Sequence, residues 1–540
     1  MYKRFCLVFL SLSLALAVLT AAFAMLADPY EVWGICRRVG FNMSSPKAEE
    51  VERLHKPLAF LRLEVQPETV FMGTSQVLYA MDMDAYKEMT GKSAFNFGVR
   101  GATIYEQGKV LEHVLASDKR VRDIYLNLDF YSFLEGEYLH PAKFSKTFLK
   151  YEAQYGVPYI TPESFLQTVF SWDALTDSKD KIKANYKKHW QHPYYMASGK
   201  AYEDNLLDFF QRDHWRFTRS LSMMDRDGNY REARLDPECL AELRRMAEMC
   251  RERGIELHLF IAPIHARHME IFAEIWPVYE EWLRALVQVA PVTDFCGYNE
   301  ITMSEAKPGL VDEETNPYFW DVIHMKTSLG NRVLRGLLGD REALAGFGTV
   351  LNQDNVESHI RGMARGRAAW EAAHPESPEE TLYYGRFSPR PPRDLQGLGA
   401  TQERSLIRVD YVSKDYLENR SHWRNRPVLA FKTLPFDMEL SREERLLLHC
   451  CRLSTPGEPR AVYAVLEHGA GQRLYAMAEL ADSKAASDFL RDSSYTEFGF
   501  HMRVPLWEVP PGEYSLFFAE VAANGTISCS RTVGKVRIVP

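Results

Sequence analysis

Apolar residues change their spacing twice along this chain. From Phe5 to Ala27 they run without a charged residue behind Lys3 and Arg4, far enough to cross a bilayer as one helix. From Thr69 onward they gather into short runs, Thr69–Met72, Ser93–Phe97, Asp123–Leu128, Ile255–Ala262 and Val292–Phe295, separated by helical patterns at Ile104–Ala116, Pro237–Arg253 and His268–Val289. Strands alternating with helices in this way predict an α/β fold, a parallel sheet with helices on both faces. Beyond Ser405 the period drops to two. Runs at Leu406–Val412, Val428–Thr433, Leu446–Cys451, Ala461–Leu466, Arg473–Glu479, Phe498–Val504, Tyr514–Val521 and Val533–Val539 are punctuated by turns such as Pro510-Pro511-Gly512 and Asn524-Gly525. That pattern predicts a C-terminal β-sandwich.

Four segments follow: an N-terminal helix over 1–27, an α/β domain over 28–343, a linker over 344–404, and the sandwich over 405–540. The positive flank of the first segment keeps that end in the cytoplasm and sends the body outward. The run exceeds a typical signal core and reads as an uncleaved signal anchor, although Ala22-Phe23-Ala24 could serve as a cleavage site. The expected location is thus the inner membrane, single-pass, with a periplasmic body. A helix over Pro46–Leu61 precedes the first strand, and another over Val356–Ala373 precedes the stiff Pro389–Arg393 stretch of the linker. Residues 131–235 interrupt the α/β alternation, and an insertion of that length is expected to carry its own helices and to overhang the active face as a cap. Tyr186, Lys187, Lys188, His189, Trp190, His192, Tyr194, Tyr195, Tyr202, His214 and Trp215 crowd its middle. They are either a sugar-stacking platform or the buried rings of an ordinary subdomain.

Three short stretches carry the candidate chemistry. Met72-Gly73-Thr74-Ser75-Gln76 stops an apolar strand at a glycine and a serine and opens a helix. Ser75 then stands at the carboxyl end of a strand beside free backbone N–H groups, as a nucleophile with an oxyanion site requires. Asn96-Phe97-Gly98-Val99-Arg100-Gly101 follows the second strand, and Asp321-Val322-Ile323-His324 precedes a helix containing Gly330. An Asp and a His three apart on a turn can meet side by side, the Asp holding the imidazole tautomer and the His taking the serine proton. Each stretch alone is more often a turn, a cap or a buried histidine. Gln76, Asn96, Arg100, Asp129, His265, His268 and Trp320 are candidate substrate contacts. His265 and His268 could share a metal by spacing, but no third ligand is evident nearby, so neither metal nor cofactor is expected.

Taken in order, the three blocks resemble those of the SGNH (GDSL-like) hydrolase superfamily. The stretch from Asp28 to Asp340 is also similar to the membrane-anchored proteins related to alginate O-acetyltransferases of exopolysaccharide systems. The resemblance implies an SGNH-like, flavodoxin-like sheet, with Ser75 as nucleophile, His324 as base, Asp321 as its partner, and the N–H groups of Ser75 and Gly101 for the oxyanion. It implies carbohydrate O-acetyl ester chemistry, as transferase or esterase, with a polysaccharide, an acyl donor and other exopolysaccharide-assembly proteins as partners. One departure stands out. Leu126-Asn127-Leu128-Asp129-Phe130-Tyr131 lacks the family's Gly-x-Asn-Asp, and aligning the strands puts Tyr131 at the position of the third oxyanion donor. The competing expectation is a catalytically weak scaffold that holds polysaccharide.

Composition narrows this modestly. With 46% hydrophobic and 26% charged residues the chain is globular, and 540 residues exceed one ordinary domain. A net charge of -8 gives no electrostatic footprint for nucleic acid. Eight cysteines are too sparse for a disulfide scaffold, with Cys450 or Cys451 bridged to Cys529 as the first pairing to test.

Overall fold

The computed structural model describes every residue except 1, 47, 64–65, 118–119, 136–165, 167, 204–232, 274, 305–315, 376–386, 396–402, 405, 417–435, 443, 455–458, 470, 482–498, 507 and 523. Twelve α-helices are described: α1 Tyr2–Ala27, α2 Ala48–Leu61, α3 Ser75–Ala80, α4 Met83–Thr90, α5 Ile104–Ser117, α6 Trp172–Lys188, α7 Pro237–Arg253, α8 Ala266–Ile271, α9 Trp276–Leu286, α10 Thr327–Leu337, α11 Arg341–Leu344 and α12 Val356–Ala373. Helix α1 is long and apolar enough to span a membrane, consistent with a single-pass anchor. Its last turn packs on α6, where Lys181 Nζ donates to the carbonyl of Asp28 at 2.6 Å.

All five strands expected from the short apolar runs form, each within a few residues of its run. They are β1 Thr69–Gly73, β2 Ala94–Gly98, β3 Asp123–Asn127, β4 Glu256–Ile261 and β5 Val292–Asp294, parallel throughout. A sixth strand, β6 Thr349–Leu351, adds antiparallel to β5, giving the order β2-β1-β3-β4-β5-β6. Alternate residues of each strand enter opposite cores. Val70, Met72, Ile124 and Leu126 face α2, α5, α7 and α9, while Phe71 and Tyr125 face α3, α4 and α10. A parallel strand covered on both sides has no polar face, which is why these runs read as continuous. Strand β6 and α12 come from the stretch expected to be linker. Ile360 and Met363 of α12 join the core and Glu357 pairs with Arg284 at 2.6 Å, so the α/β unit continues through about Ala373.

The described part of the insertion packs on α1 and α3. Helix α6 lies against α1, and Tyr194 and Tyr195 are buried with Leu78 and Tyr79 of α3. Tyr186 is exposed, and His214 and Trp215 lie outside the described residues.

The C-terminal unit is built of β7 Glu403–Arg404, β8 Leu406–Tyr416, β9 Phe436–Ser441, β10 Glu444–Ser454, β11 Pro459–His468, β12 Gln472–Met477, β13 Glu479–Ala481, β14 Gly499–Pro505, β15 Gly512–Ala522, β16 Ile527–Cys529 and β17 Gly534–Val539. They form two sheets, β13-β14-β10-β8 and a larger one around β11 and β15. Leu446, Leu448 and Cys450 of the first share one apolar cluster with Val462, Leu466 and Phe518 of the second, an arrangement compatible with the expected sandwich. The Val428–Thr433 run lies outside the described residues. Cys450 and Cys529 are both free thiols, so the pairings of Cys450 or Cys451 with Cys529 are absent.

Candidate active site

Ser75 is placed by the close approach of α3 to the sheet. Strand β1 ends at Gly73, where a Cβ would come within 2.5 Å of Val77 Cγ2 and 2.8 Å of Asn127 Cβ. On β2, a Cβ at Gly98 would come within 2.4 Å of Leu78 N. Only glycine lets the helix begin this near the strand ends. Thr74 caps α3 from its side chain, leaving Ser75 as the first helical residue. Buried Asn96 ties the same helix to β2, its Nδ2 donating to the carbonyls of Val77 and Met81 at 2.7 and 3.0 Å.

His324 arrives on a tight loop closed by the Phe319–Met325 bridge and by Trp320 N–H donating to the His324 carbonyl at 2.8 Å. Asp321 shapes this loop from inside. Its Oδ1 accepts the N–H groups of Ile323 and His324 at 2.9 and 2.7 Å, and its carboxylate lies 2.8 Å from His324 Nδ1. One buried carboxylate therefore both closes the turn and fixes the imidazole, which explains the three-residue spacing. The other ring nitrogen, Nε2, lies 2.7 Å from Ser75 Oγ. Hydroxyl, imidazole and carboxylate, 249 residues apart in sequence at the first step, form one continuous hydrogen-bonded chain.

Two residues that line the same cavity have unengaged backbone N–H groups. Those of Ser75 and Gly101 have no hydrogen-bond acceptor among the described residues, and Gly101 takes a left-handed φ of 56° in the loop after β2. Both residues line a cavity of about 250 Å³ that also borders Thr74, Gln76, Asp129, Tyr131, His268 and His324.

The remaining candidates divide by place. Gln76, Asp129 and His268 reach this cavity. Gln76 is a positioning residue as well, accepting from Asn127 Nδ2 at 2.9 Å and donating to the Ile323 carbonyl at 3.3 Å. Asn127, which carried no role in the sequence reading, also accepts Ala262 N–H at 2.9 Å, locking β3 to β4 beneath the serine. Asn96, Arg100, His265 and Trp320 do not line the cavity. Arg100 pairs with buried Glu52 at 3.2 Å, Trp320 stacks under Lys326 Nζ, and His265 caps α8 while its Nε2 lies 2.7 Å from the Ser304 carbonyl. His265 and His268 thus have separate hydrogen-bond partners.

Tyr131 and Asp129 both line the cavity, in different surroundings. The Tyr131 hydroxyl lies 2.6 Å from His268 Nε2, and burial holds that imidazole neutral by pushing its pKa down to about 3. The β1–β3 register pairs Met72 with Leu126, so the residue as far beyond β3 as Ser75 is beyond β1 is Asp129. Its carboxyl accepts from Thr74 Oγ1 at 3.4 Å, and desolvation pushes its pKa up to about 6 despite the lowering effects of Thr74 and His324. No known protein-family model matches the chain, and no characterised protein matches it in sequence.

Proposed function

We propose that this protein performs serine-dependent ester chemistry on carbohydrate at the outer face of the inner membrane, as an SGNH-like O-acyltransferase or esterase. The observation that carries this reading is the Ser75–His324–Asp321 chain at 2.7 and 2.8 Å, with its hydroxyl at a cavity. A scaffold without chemistry would have no need of that alignment, or of two unengaged N–H groups on residues lining the same cavity.

In this mechanism His324 Nε2 accepts the Ser75 proton as Oγ attacks the acyl carbon, and Asp321 stabilises the imidazolium that forms. The N–H groups of Ser75 and Gly101 hold the developing oxyanion. Asp129 stands where a third donor belongs, and in its protonated form it supplies an O–H to that oxygen; ionised, it repels the charge. The leaving oxygen takes the proton back from His324. Water or a sugar hydroxyl then repeats the sequence in reverse, giving hydrolysis or transfer. Acetyl is the acyl group implied by the resemblance to alginate O-acetyltransferases. Helix α1 anchors the enzyme at the membrane, the polysaccharide being the acceptor or donor.

The test is turnover of 4-nitrophenyl acetate and of an acetylated exopolysaccharide by the full chain in detergent. Wild type is expected to release acetate, and Ser75→Ala to lose at least about 10³-fold in kcat. Equal turnover by the two proteins removes the mechanism.

A further inference from the structure

The cavity beside Ser75 is larger and drier than an acetyl group requires. At roughly 30 Å³ for each water-sized group, its volume of about 250 Å³ takes on the order of eight such groups. Beyond the reacting atoms its wall is Phe130, Ile261, Ile264, Phe272, Tyr279 and Trp282, all buried. The rings brace one another: Phe130 meets Phe272, Tyr279 and Trp282 at centroid distances of 5.0, 5.0 and 5.3 Å. Such a wall is preformed, and it gives dispersion contacts only to an occupant that fills it. Among the described residues no lysine or arginine lines the cavity, and the one carboxyl that does, Asp129, repels an anionic tail when ionised. His268 offers no positive charge either, being neutral.

We propose that the acyl group passed through Ser75 is an uncharged chain of about four to eight carbons, seated among the rings of α9 and of the segment after β3. The inference rests on Ser75 as the nucleophile and changes the acyl class from the acetyl that the resemblance implies. The ester's carbonyl carbon bonds to Ser75 Oγ and its bond to the leaving oxygen breaks, with the Ser75 proton delivered to that oxygen by His324. The acceptor oxygen then bonds to the acyl carbon as the bond from that carbon to Ser75 Oγ breaks, and the acceptor's proton passes through His324 to Oγ.

The experiment is a chain-length series of 4-nitrophenyl esters, acetate, butyrate, hexanoate, octanoate and dodecanoate, with the full-length protein in detergent. Wild type should reach its highest kcat/KM at butyrate, hexanoate or octanoate, at least about tenfold above acetate, and decline at dodecanoate. Ile264→Trp, which fills the cavity, should move the optimum to acetate. If that variant misfolds, wild type alone answers through covalent labelling, an octyl fluorophosphonate modifying Ser75 at least about tenfold faster than an ethyl one. An acetate optimum that Ser75→Ala abolishes overturns the acyl-length inference and leaves Ser75 as nucleophile. Turnover at no chain length, or turnover indifferent to Ser75→Ala, overturns both.

Discussion

His324 and His359 form nearly the same pair in two places. Each has a ring nitrogen 2.8 Å from a buried aspartate oxygen, Asp321 for one and Asp294 for the other, and each side chain is 14% exposed. His324 presents its second nitrogen to Ser75 at the mouth of a cavity. His359 instead ties α12 to the end of β5, where Asp294 also accepts the N–H of Cys296 at 2.8 Å. A buried histidine–carboxylate pair is therefore not in itself a catalytic feature. The proton path acquires a use only where the pair's free nitrogen meets a hydroxyl, and that hydroxyl meets both open space and unengaged N–H groups. The sheet's opposite edge makes the same point. There Asp123, Glu256 and His258 come close enough to hold an ion, yet Asp123 is already engaged by Lys92 Nζ at 2.9 Å.

The comparison breaks most visibly at Asp321. Asp321→Asn keeps an oxygen for the N–H groups of Ile323 and His324, so the loop survives, but it turns an amide toward His324 Nδ1 and favours the wrong tautomer. A kcat loss of about 10² to 10⁴-fold is expected in the ester assay, with the circular dichroism of wild type. An unaltered kcat would mean that His324 is no better served than His359.

Asp129 sharpens the same contrast through pH. With its pKa raised to about 6, the carboxyl is protonated below that value and its donated hydrogen bond is lost as pH rises through it. Wild-type kcat, taken as a ratio to that of Asp129→Asn so that every other titration cancels, should therefore fall across this window. Asp129→Asn supplies a permanent N–H donor, so the variant should exceed wild type at pH 8 by about 10 to 100-fold. Identical pH profiles would place Asp129 outside the oxyanion site.

Ser75 and Gly101 were legible because they follow β1 and β2 in short loops, and the Asp321–His324 turn because its stretch is too short for its internal geometry to vary. Asp129 was not singled out as level with Ser75, because the apolar run continues to Leu128, whereas β3 closes at Asn127. Only the register with β1 sets Asp129 level with Ser75. Strand β6 escaped because two of its three residues are exposed and only Leu351 enters the core, leaving no run to read. Tyr279 and Trp282 read as an ordinary helical core stripe, and nothing in their spacing reveals the void they border. Arg100 was a candidate substrate contact in the loop after the second strand, but Glu52, far earlier in the chain, pairs with it, and such long-range partners leave no local trace.

The smallest expected effect belongs to the pair without a hydroxyl. Burial lowers the His359 pKa, but the hydrogen bond and charge of Asp294 outweigh it, and the net direction is upward. A histidine whose folded pKa is raised contributes stability that is complete below its unfolded value near 6.5 and is lost as pH rises through the folded one. His359→Gln removes the positive partner of a buried carboxylate left with the Cys296 N–H, and at pH 6 it should cost about 1–3 kcal/mol of unfolding free energy. The cost should shrink as pH rises past the His359 pKa, while ester turnover per folded molecule stays at the wild-type level, because His359 borders neither Ser75 nor the cavity. Chemical denaturation at pH 6 and pH 9, run beside the ester assay, reads both quantities. Reduced turnover with an unchanged denaturation midpoint would show the two histidine–aspartate pairs to be coupled, and the distinction between them would fail.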